Sequence, residues 1–163
     1  MRNTTAIPHK ILSPAQVQQF VSVARLTGKT IAFTNGCFDI LHEGHIFSLS
    51  LAAAEADLLV VGVNADASVK KLKGESRPVN NEHSRSLLLA SLVVVDAVII
   101  FTEDTPLNLI NLVKPDVLVK GGDYTIEQVV GAKETIANGG RIIINPIVEG
   151  FSTTDLIEKI KHT

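Results

Sequence analysis

Residues 33–45 have the sequence FTNGCFDILHEGH, which runs from an apolar, strand-like start through a glycine-containing loop into the beginning of a helix. His42 and His45 are three residues apart, so both imidazoles lie on one face of the first turn of a helix that begins here. The free N–H groups and the dipole of a helix N-terminus favour an anion at that position. Gly44 lacks a Cβ and lets a ligand approach the backbone closely. The stretch therefore predicts a phosphate site whose imidazoles stabilise charge that develops on the phosphate.

The spacing of this stretch disfavours other uses. Two histidines could bind zinc, but the metalloprotease motif places its histidines at i and i+4, and no cluster of Cys or His in the sequence supplies a third ligand. Zinc is a minor alternative. The glycine pattern of a dinucleotide-binding fold is absent after the strand, and the GKT at residues 28–30 precedes the strand instead of following it as in a P-loop. A hydride-transfer enzyme and a P-loop kinase are therefore disfavoured.

The composition is that of a globular protein: of 163 residues, 45% are hydrophobic and 20% are charged. The 15 Lys and Arg against 17 Asp and Glu give a net charge of −2, which disfavours a general affinity for nucleic acid. No apolar run reaches the roughly 18 residues that span a membrane, and the chain begins without the apolar segment of a secretory signal. Cys37 is the single cysteine, so an internal disulfide is excluded. We therefore expect a cytoplasmic protein.

Short apolar runs rich in Val and Ile alternate with helical patterns. We predict strands at residues 30–34, 58–64, 97–101, 117–120 and 141–145. Most of them lack a period-2 polar face, which is typical of strands buried on both faces of a parallel sheet. The alternation predicts an α/β fold: a single doubly wound, Rossmann-like domain with a five-stranded parallel sheet and helices on both faces. The domain covers residues 1–163, with an N-terminal helical extension over 1–28 and an α/β core over 30–162.

Start and stop signals locate the helices. The sequence SPAQ at residues 13–16 forms a capping box that opens a helix over 14–26, and a glycine at position 28 can end it. We predict further helices at 44–56, 81–92, 126–138 and 154–162, and one that begins at 105–106 and ends at the Lys-Pro pair 114–115. In the helix over 81–92, Leu87, Leu88 and Leu92 are expected to face the core.

Segments after the carboxyl ends of strands are where open α/β sheets bind ligands. Four segments follow the predicted strands, at residues 35–45, 65–78, 121–124 and 146–154. In the second, a loop, the ammonium groups of Lys71 and Lys73, near Arg77, are expected to reach phosphates, although lysines in loops are more often simply solvated. In the same loop Asp66 could accept hydrogen bonds from sugar hydroxyls or cap the next turn.

Glycines and hydroxyl residues mark the last two segments. In KGGDY, residues 120–124, two glycines let the backbone lie against a flat base or ribose, and Asp123 could bond an amino group or a hydroxyl. The alternative is a glycine turn whose aspartate caps the following helix. In STT, residues 152–154, N–H groups and hydroxyls at a helix start form a second anion site or a plain N-cap.

The strand, loop and HxGH helix over residues 33–45 resemble the nucleotidyltransferase (cytidylyltransferase-like) superfamily, and the resemblance extends over residues 31–160. Further motifs resemble its branch of heptose 1-phosphate adenylyltransferases: VNADASV at 63–69, LKG at 72–74, RP at 77–78, VKGGDY at 119–124 and EGFSTT at 149–154. Glycerol-phosphate cytidylyltransferases carry an Arg-Thr pair where this chain has Ile147 and Val148, which favours the heptose branch. Cys37 stands where the wider superfamily has Thr. We interpret it as a packing residue, because no activating base is specified beside it.

The resemblance implies adenylyl transfer from ATP to D-glycero-D-manno-heptose 1-phosphate, giving ADP-heptose and pyrophosphate for lipopolysaccharide core biosynthesis. Mg²⁺ would be bound through the nucleotide, with few protein ligands. It also implies a homodimer without nucleic-acid or membrane partners, in a stand-alone form that lacks a fused kinase domain. Two alternatives stay open: a cytidylyltransferase that uses CTP and acts on glycerol 3-phosphate or a similar small phosphorylated or phosphonate acceptor, and a non-catalytic nucleotide-binding module, which the intact histidine pair disfavours.

The resemblance also implies roles for residues of this chain. The catalytic residues are expected to be His42, His45 and Lys73. The acceptor is expected to bind to Asp66, Ser68, Lys71 and Arg77. The nucleotide is expected to bind to Thr34, Asn35, Gly36, Cys37, Phe38, Asp39, Gly44, Lys120, Gly121, Gly122, Asp123, Glu149, Phe151, Ser152, Thr153 and Thr154.

Overall fold

A single parallel sheet runs through the protein in the computed structural model, which describes residues 4–146, 150 and 153–162. The order across the sheet is β3-β2-β1-β4-β5, and all neighbouring strands are parallel. From the central β1 the chain builds outward to β3, then returns to the other side of β1 to add β4 and β5. The predicted five-stranded, doubly wound α/β sheet is therefore confirmed. The strands are β1 (Ile31–Gly36), β2 (Leu58–Asn64), β3 (Ala97–Phe101), β4 (Val117–Gly121) and β5 (Arg141–Asn145).

Helices connect the strands and cover both faces of the sheet. The predicted capping box at the first helix is confirmed, because Ser13 Oγ accepts the N–H of Gln16 at 3.4 Å and Gln16 Oε1 accepts the N–H of Ser13 at 2.8 Å. The helices are α1 (Pro14–Leu26), α2 (Glu43–Ala53), α3 (Asp66–Lys73), α4 (Glu82–Ala90), α5 (Leu107–Val113), α6 (Ala132–Ala137) and α7 (Thr153–Lys161).

The segment 65–78 is not the loop that was predicted, because its first part is the helix α3. Val69 and Leu72 are the only large apolar residues of this helix, which is otherwise small or charged. Its amphipathic pattern is therefore too sparse to recognise from the sequence.

The predicted helix over 126–138 is also wrong in its first half. A 3-10 turn (Ile126–Gln128) comes first, and the α-helical part begins only at Ala132. Between them Gly131 has φ +86°, a left-handed conformation that interrupts a right-handed helix.

Two apolar layers, one on each face of the sheet, form the core. On one face α1, α5 and α6 pack against strand residues such as Phe33 and Leu118. On the other face α2 and α4 pack against the intervening residues, such as Ala32 and Val119. Both sides of the central strands are therefore buried, which explains why their sequences carry no alternating polar face.

The helix α4 turns a different face to the core from the one predicted. Leu89 is fully buried, whereas Leu87 and Leu88 are 38% and 45% exposed, so the expectation for these two is wrong. Leu92 packs against the core as predicted. The buried face also carries Arg85, one turn before Leu89. The rotation of the helix is set by this arginine, which has its bonding partners inside the protein.

The segment before α1 runs along the edge of the sheet at β3. The N–H of Leu12 donates to the carbonyl oxygen of Val98 at 2.9 Å, and the ammonium of Lys10 donates to the carbonyl oxygen of Val95 at 2.7 Å. These bonds attach the N-terminal extension to the α/β core. Within the described residues, no helix combines the length and apolar composition that crossing a bilayer requires.

Candidate active site

The carboxyl ends of β1 and β4 diverge at the centre of the sheet. β1 pairs with β2 over its whole length, as far as Gly36, but with β4 only at Ala32 and Phe33. The chain extends the sheet from this position in both directions. It is therefore the topological switch point, the crevice in which open α/β sheets bind ligands.

The two histidines of the HxGH sequence stand beside this crevice at the start of α2. His42 is the N-cap residue, with φ −142° and ψ 172°, and His45 lies in the first turn. Their rings stack, with centroids 3.8 Å apart and an interplanar angle of 28°. The N–H of His42 donates to Nδ1 of His45 at 3.4 Å. In neutral His45 the proton is therefore on Nε2, which can donate to an anion.

Burial favours the uncharged form of both imidazoles. Burial and, second, repulsion from His42 lower the pKa of His45 to about 4. Burial lowers the pKa of His42 as well. A phosphate bound beside the pair would raise these pKa values, because a negative charge stabilises the protonated imidazole.

The histidine pair forms part of a cavity of about 480 Å³. Lys73, the last residue of α3, and Arg77 bring positive charge to it. The first turn of α7 brings N–H groups that have no acceptor within the helix. This combination suits a polyanion such as a triphosphate. The predicted site residues that line this cavity are Cys37, Phe38, His42, Gly44, His45, Lys73, Arg77, Gly121, Gly122, Thr153 and Thr154.

A second cavity, of about 180 Å³, adjoins the first at the switch point. Lys120 at the end of β4 lines it, together with Thr34, Asn35 and Gly36 at the end of β1. The two cavities share His45, so a ligand in one lies next to a ligand in the other.

The loop after β1 is held in place by the carboxylate of Asp39, which is 2% exposed. It accepts Nε of Arg77 at 2.6 Å and the N–H groups of Val79 and Asn80 at 2.8 and 2.9 Å. Burial acts to raise the pKa of Asp39, but these donors outweigh it and keep the pKa below its usual value. Asp39 was expected to bind the nucleotide. Its carboxylate instead holds Arg77 at the wall of the larger cavity.

Phe38 links this loop to the histidine pair. It has φ +48°, and its ring packs against the ring of His45 with centroids 5.4 Å apart. A Cβ on Gly36 would come within 3.1 Å of the Phe38 ring. The glycine therefore leaves room for the aromatic ring that supports His45 from the side of the loop.

Arg85 is a site-forming residue that the sequence analysis missed. It is fully buried, and Nη1 donates to the carbonyl oxygen of Cys37 at 2.5 Å. Nη2 donates to the carbonyl oxygen of Asn64 at 2.8 Å and to Oδ1 of Asp66 at 2.7 Å. Nε donates to the carbonyl oxygen of Asn80 at 3.0 Å. The one signal in the sequence is a charged residue at helical spacing from Leu89, which is buried, and Leu92, which is partly buried.

The residues expected to bind the acceptor separate in the structure. Asp66 is paired with Arg85, and Ser68 is 2% exposed and accepts Nδ2 of Asn64 at 3.2 Å. Lys71 pairs with the exposed Asp104 at 3.0 Å. Because Lys71 and Lys73 are two residues apart on α3, they lie about 200° apart around its axis, and only Lys73 lines the cavity. Of the four residues expected to bind the acceptor, only Arg77 lines the larger cavity.

The remaining predicted residues lie at the rim or beyond the described part of the chain. Asp123 is exposed, next to Gly122. Glu149, Phe151 and Ser152 lie outside the described residues, as do Ile147 and Val148.

The fold and the crevice define an open α/β domain with a cationic cavity at its first strand–helix junction. The chain belongs to the cytidylyltransferase-like family of nucleotidyltransferases, whose family model matches residues 33–159. The predicted family is thereby confirmed.

Similar proteins are known from many bacteria. The bifunctional protein HldE of Nitrobacter winogradskyi is 54% identical over 147 residues, which cover 90% of this chain and 30% of that protein. HldE of Bradyrhizobium sp. (strain ORS 278) is 57% identical over 141 residues, which cover 86% of this chain and 29% of that protein. The chain thus spans less than a third of the length of these curated relatives.

Two solved structures are also similar. A lipopolysaccharide core biosynthesis protein from Thermoplasma volcanium is 31% identical with a TM-score of 0.60, and the match covers 74% of this chain and 98% of that chain. Pantoate-beta-alanine ligase from Francisella tularensis, complexed with beta-gamma ATP and beta-alanine, is 18% identical with a TM-score of 0.58. That match covers 93% of this chain and 76% of the ligase, and at this identity it shows a shared fold alone.

Replacing Arg85 by Met is expected to lower the free energy of unfolding by about 3–5 kcal/mol. The reason is that the Asp66 carboxylate and the three carbonyl oxygens that accept from Arg85 lose a buried donor. Chemical denaturation measures this change. Arg141→Met is the control, since Arg141 forms an exposed pair with Glu55 and should cost no more than about 1 kcal/mol. Equal losses in the two variants would contradict the role of Arg85.

The free energy of unfolding is expected to fall as the pH decreases from about 6.5 to 4. The unfolded chain protonates His45 near pH 6.5, whereas the folded protein does so only near pH 4. Protonation therefore favours the unfolded state over this interval, by about 2 kcal/mol at pH 5. Chemical denaturation at pH 7 and pH 5 measures the decrease in the free energy of unfolding. This decrease should be smaller in His45→Gln than in the wild type. It should be unchanged in the control His83→Gln, which replaces an exposed histidine. An unchanged loss in His45→Gln would contradict the low pKa.

Proposed function

We propose that this chain transfers an adenylyl group from ATP to a sugar 1-phosphate, D-glycero-D-manno-heptose 1-phosphate, and releases pyrophosphate. The observation that carries the proposal is the stacked His42–His45 pair, 3.8 Å between centroids, in one cavity with Lys73 and Arg77. The similarity to HldE proteins supports it, as does the similarity to a lipopolysaccharide core biosynthesis protein. The product would be ADP-heptose, made in the cytoplasm for lipopolysaccharide core biosynthesis.

The reaction is a direct in-line displacement. An oxygen of the acceptor phosphate attacks the α-phosphorus, a new P–O bond forms, and the bond to the β-phosphate breaks as pyrophosphate leaves with the electron pair. No protein nucleophile is needed. Burial raises the pKa of the Cys37 thiol, which keeps it protonated at neutral pH and supports its role in packing.

The protein contributes position and charge neutralisation. His45 donates from Nε2 to the phosphate that reacts, and His42 stacks against it and donates beside it. Lys73 and Arg77 hold the outer phosphates, with Arg77 oriented by its bond from Nε to Asp39. The N–H groups of the first turn of α7, at Thr153 and Thr154, would bind a further phosphate oxygen.

The nucleoside would lie against the end of β4. Gly121 and Gly122 line the larger cavity, and Gly122 has φ +123°, a conformation that favours glycine. A backbone without side chains here lets a base or ribose approach closely. The resemblance of their motifs adds four further residues to the proposed nucleoside site. One is the exposed Asp123, and the others, which lie outside the described residues, are Glu149, Phe151 and Ser152.

Mg²⁺ fits this site as a companion of the triphosphate. The described residues contain no group of three or more His, Cys, Asp and Glu placed to hold a metal ion, and the Asp39 carboxylate is occupied by protein donors. The His42, His45, Lys73 and Arg77 side chains would therefore hold the phosphates that carry the ion. When bound, Mg²⁺ neutralises charge on the triphosphate.

A homodimer belongs to the same proposal. At the end of α4, Leu87, Leu88 and Val93 are 38%, 45% and 96% exposed. Exposed apolar side chains close together in the chain are the kind of residue that a subunit interface buries.

Pyrophosphate release is expected with ATP, heptose 1-phosphate and Mg²⁺, and not when CTP replaces ATP. Parallel assays with each nucleotide measure this. Turnover with CTP alone would move the chain to the cytidylyltransferase alternative, with glycerol 3-phosphate the first acceptor to test. Absence of pyrophosphate with every nucleotide and acceptor would favour the non-catalytic binding module.

His45→Ala is expected to lower kcat by about 10²–10³-fold, as loss of a donor to the transition state does. Steady-state kinetics measure the loss, and thermal denaturation at pH 7 confirms that the variant is folded. His83→Ala, which removes an exposed imidazole from α4, is the control. A folded His45→Ala variant with near-normal kcat would contradict the proposed role.

A further inference from the structure

Lys120 is a half-buried cation with no oppositely charged partner among the described residues. Within the described part of the chain its ammonium forms no hydrogen bond or ion pair. Nζ lies 5.6 Å from the centroid of the Tyr124 ring, near the outer limit of a cation–π contact. A charge removed from water is unfavourable unless a partner of opposite charge is supplied. The partner expected here is therefore an anionic ligand.

The position of Lys120 separates it from the other cations of the site. Lys73 and Arg77 line the larger cavity, whereas Lys120 lines the smaller one, at the switch point between β1 and β4. His45 belongs to both cavities and so stands at their junction. The smaller cavity, of about 180 Å³, also contains the polar residues Thr34 and Asn35. The two cavities adjoin at His45, so the smaller one could hold a second anion beside the first.

An in-line displacement requires two such sites. The attacking oxygen and the leaving pyrophosphate must lie on opposite sides of the α-phosphorus. If the triphosphate occupies the larger cavity with its α-phosphate at His45, the attacking oxygen must come from the side of the smaller cavity. A phosphate fits this space, and the sugar that carries it would extend outward.

We propose that Lys120 binds the phosphate of the acceptor, and thus reassign it from the nucleotide to the sugar phosphate. This inference rests on the proposed function. The ammonium offsets the repulsion between two anionic phosphates and holds one acceptor oxygen toward the α-phosphorus. That oxygen forms the new P–O bond, the bond to the β-phosphate breaks, and no proton is transferred when the acceptor phosphate is a dianion. Burial lowers the pKa of Lys120, and an anion bound beside it would reverse this shift.

The first test separates the two substrates. In Lys120→Met, the KM for heptose 1-phosphate is expected to rise about 30-fold or more while the KM for ATP changes little, since loss of a buried charge partner weakens only the ligand it contacts. Lys120→Arg should recover part of the affinity. Lys133→Met removes an exposed lysine from α6 and is the matched control. A rise in the KM for ATP instead, or no rise in either KM, would overturn the proposal.

The second test does not depend on which sugar is the acceptor. With α,β-methylene ATP and Mg²⁺ filling the nucleotide site, inorganic phosphate is titrated calorimetrically into the wild type, Lys120→Met and Lys133→Met. The wild type and Lys133→Met are expected to bind phosphate, and Lys120→Met to bind it at least tenfold more weakly. Equal phosphate binding by all three proteins would overturn the inference. If heptose 1-phosphate is not a substrate but phosphate binding depends on Lys120, the proposed acceptor fails and the inference stands.

Discussion

A buried guanidinium connects the segments that carry the site. Arg85 reaches from α4 to the loop after β1 through Cys37, to the end of β2 through Asn64, and to the segment before α4 through Asn80. A charge with no exposure is tolerated only when its donors are engaged, so these segments cannot separate without leaving an unpaired charge in the interior. Asp39 adds a second connection between the same loop and Arg77. The cavity therefore has walls whose spacing is set by buried polar bonds as well as by apolar packing.

The walls of the crevice partly bury three of its basic side chains and so change their pKa values. Burial lowers the pKa of His45, of His42 and of Lys120, so all three groups favour their neutral forms more than they would in water. Each regains free energy when an anion arrives and water is excluded. These groups are partly desolvated, which supports the proposal that they bind phosphates. They stand on different elements around the switch point, as the proposal of two phosphate sites requires.

Much of the fold was predictable because its signals are local. The strands at 58–64, 97–101 and 141–145 agree with the structure, since a buried parallel strand is a continuous apolar run bounded by turns. The capping box before α1 and the HxGH sequence at α2 are equally local. The failures have a different origin. The helix α3 carries too few apolar residues to be recognised, and the helix α4 is rotated by the partners of Arg85, which come from distant parts of the chain.

The sequence by itself determined the α/β class, the strand–helix junction that carries the histidine pair, and the family, because each is encoded in a short run of neighbouring residues. The tertiary structure alone decided which charged residues reach the crevice. Helical geometry turns Lys73 toward it and Lys71 away to Asp104. The divergence of β1 from β4 places Lys120 in the smaller of the two adjoining cavities. These outcomes depend on rotation about a helix axis and on strand order. Both are set by packing between segments far apart in the chain, which no local pattern encodes.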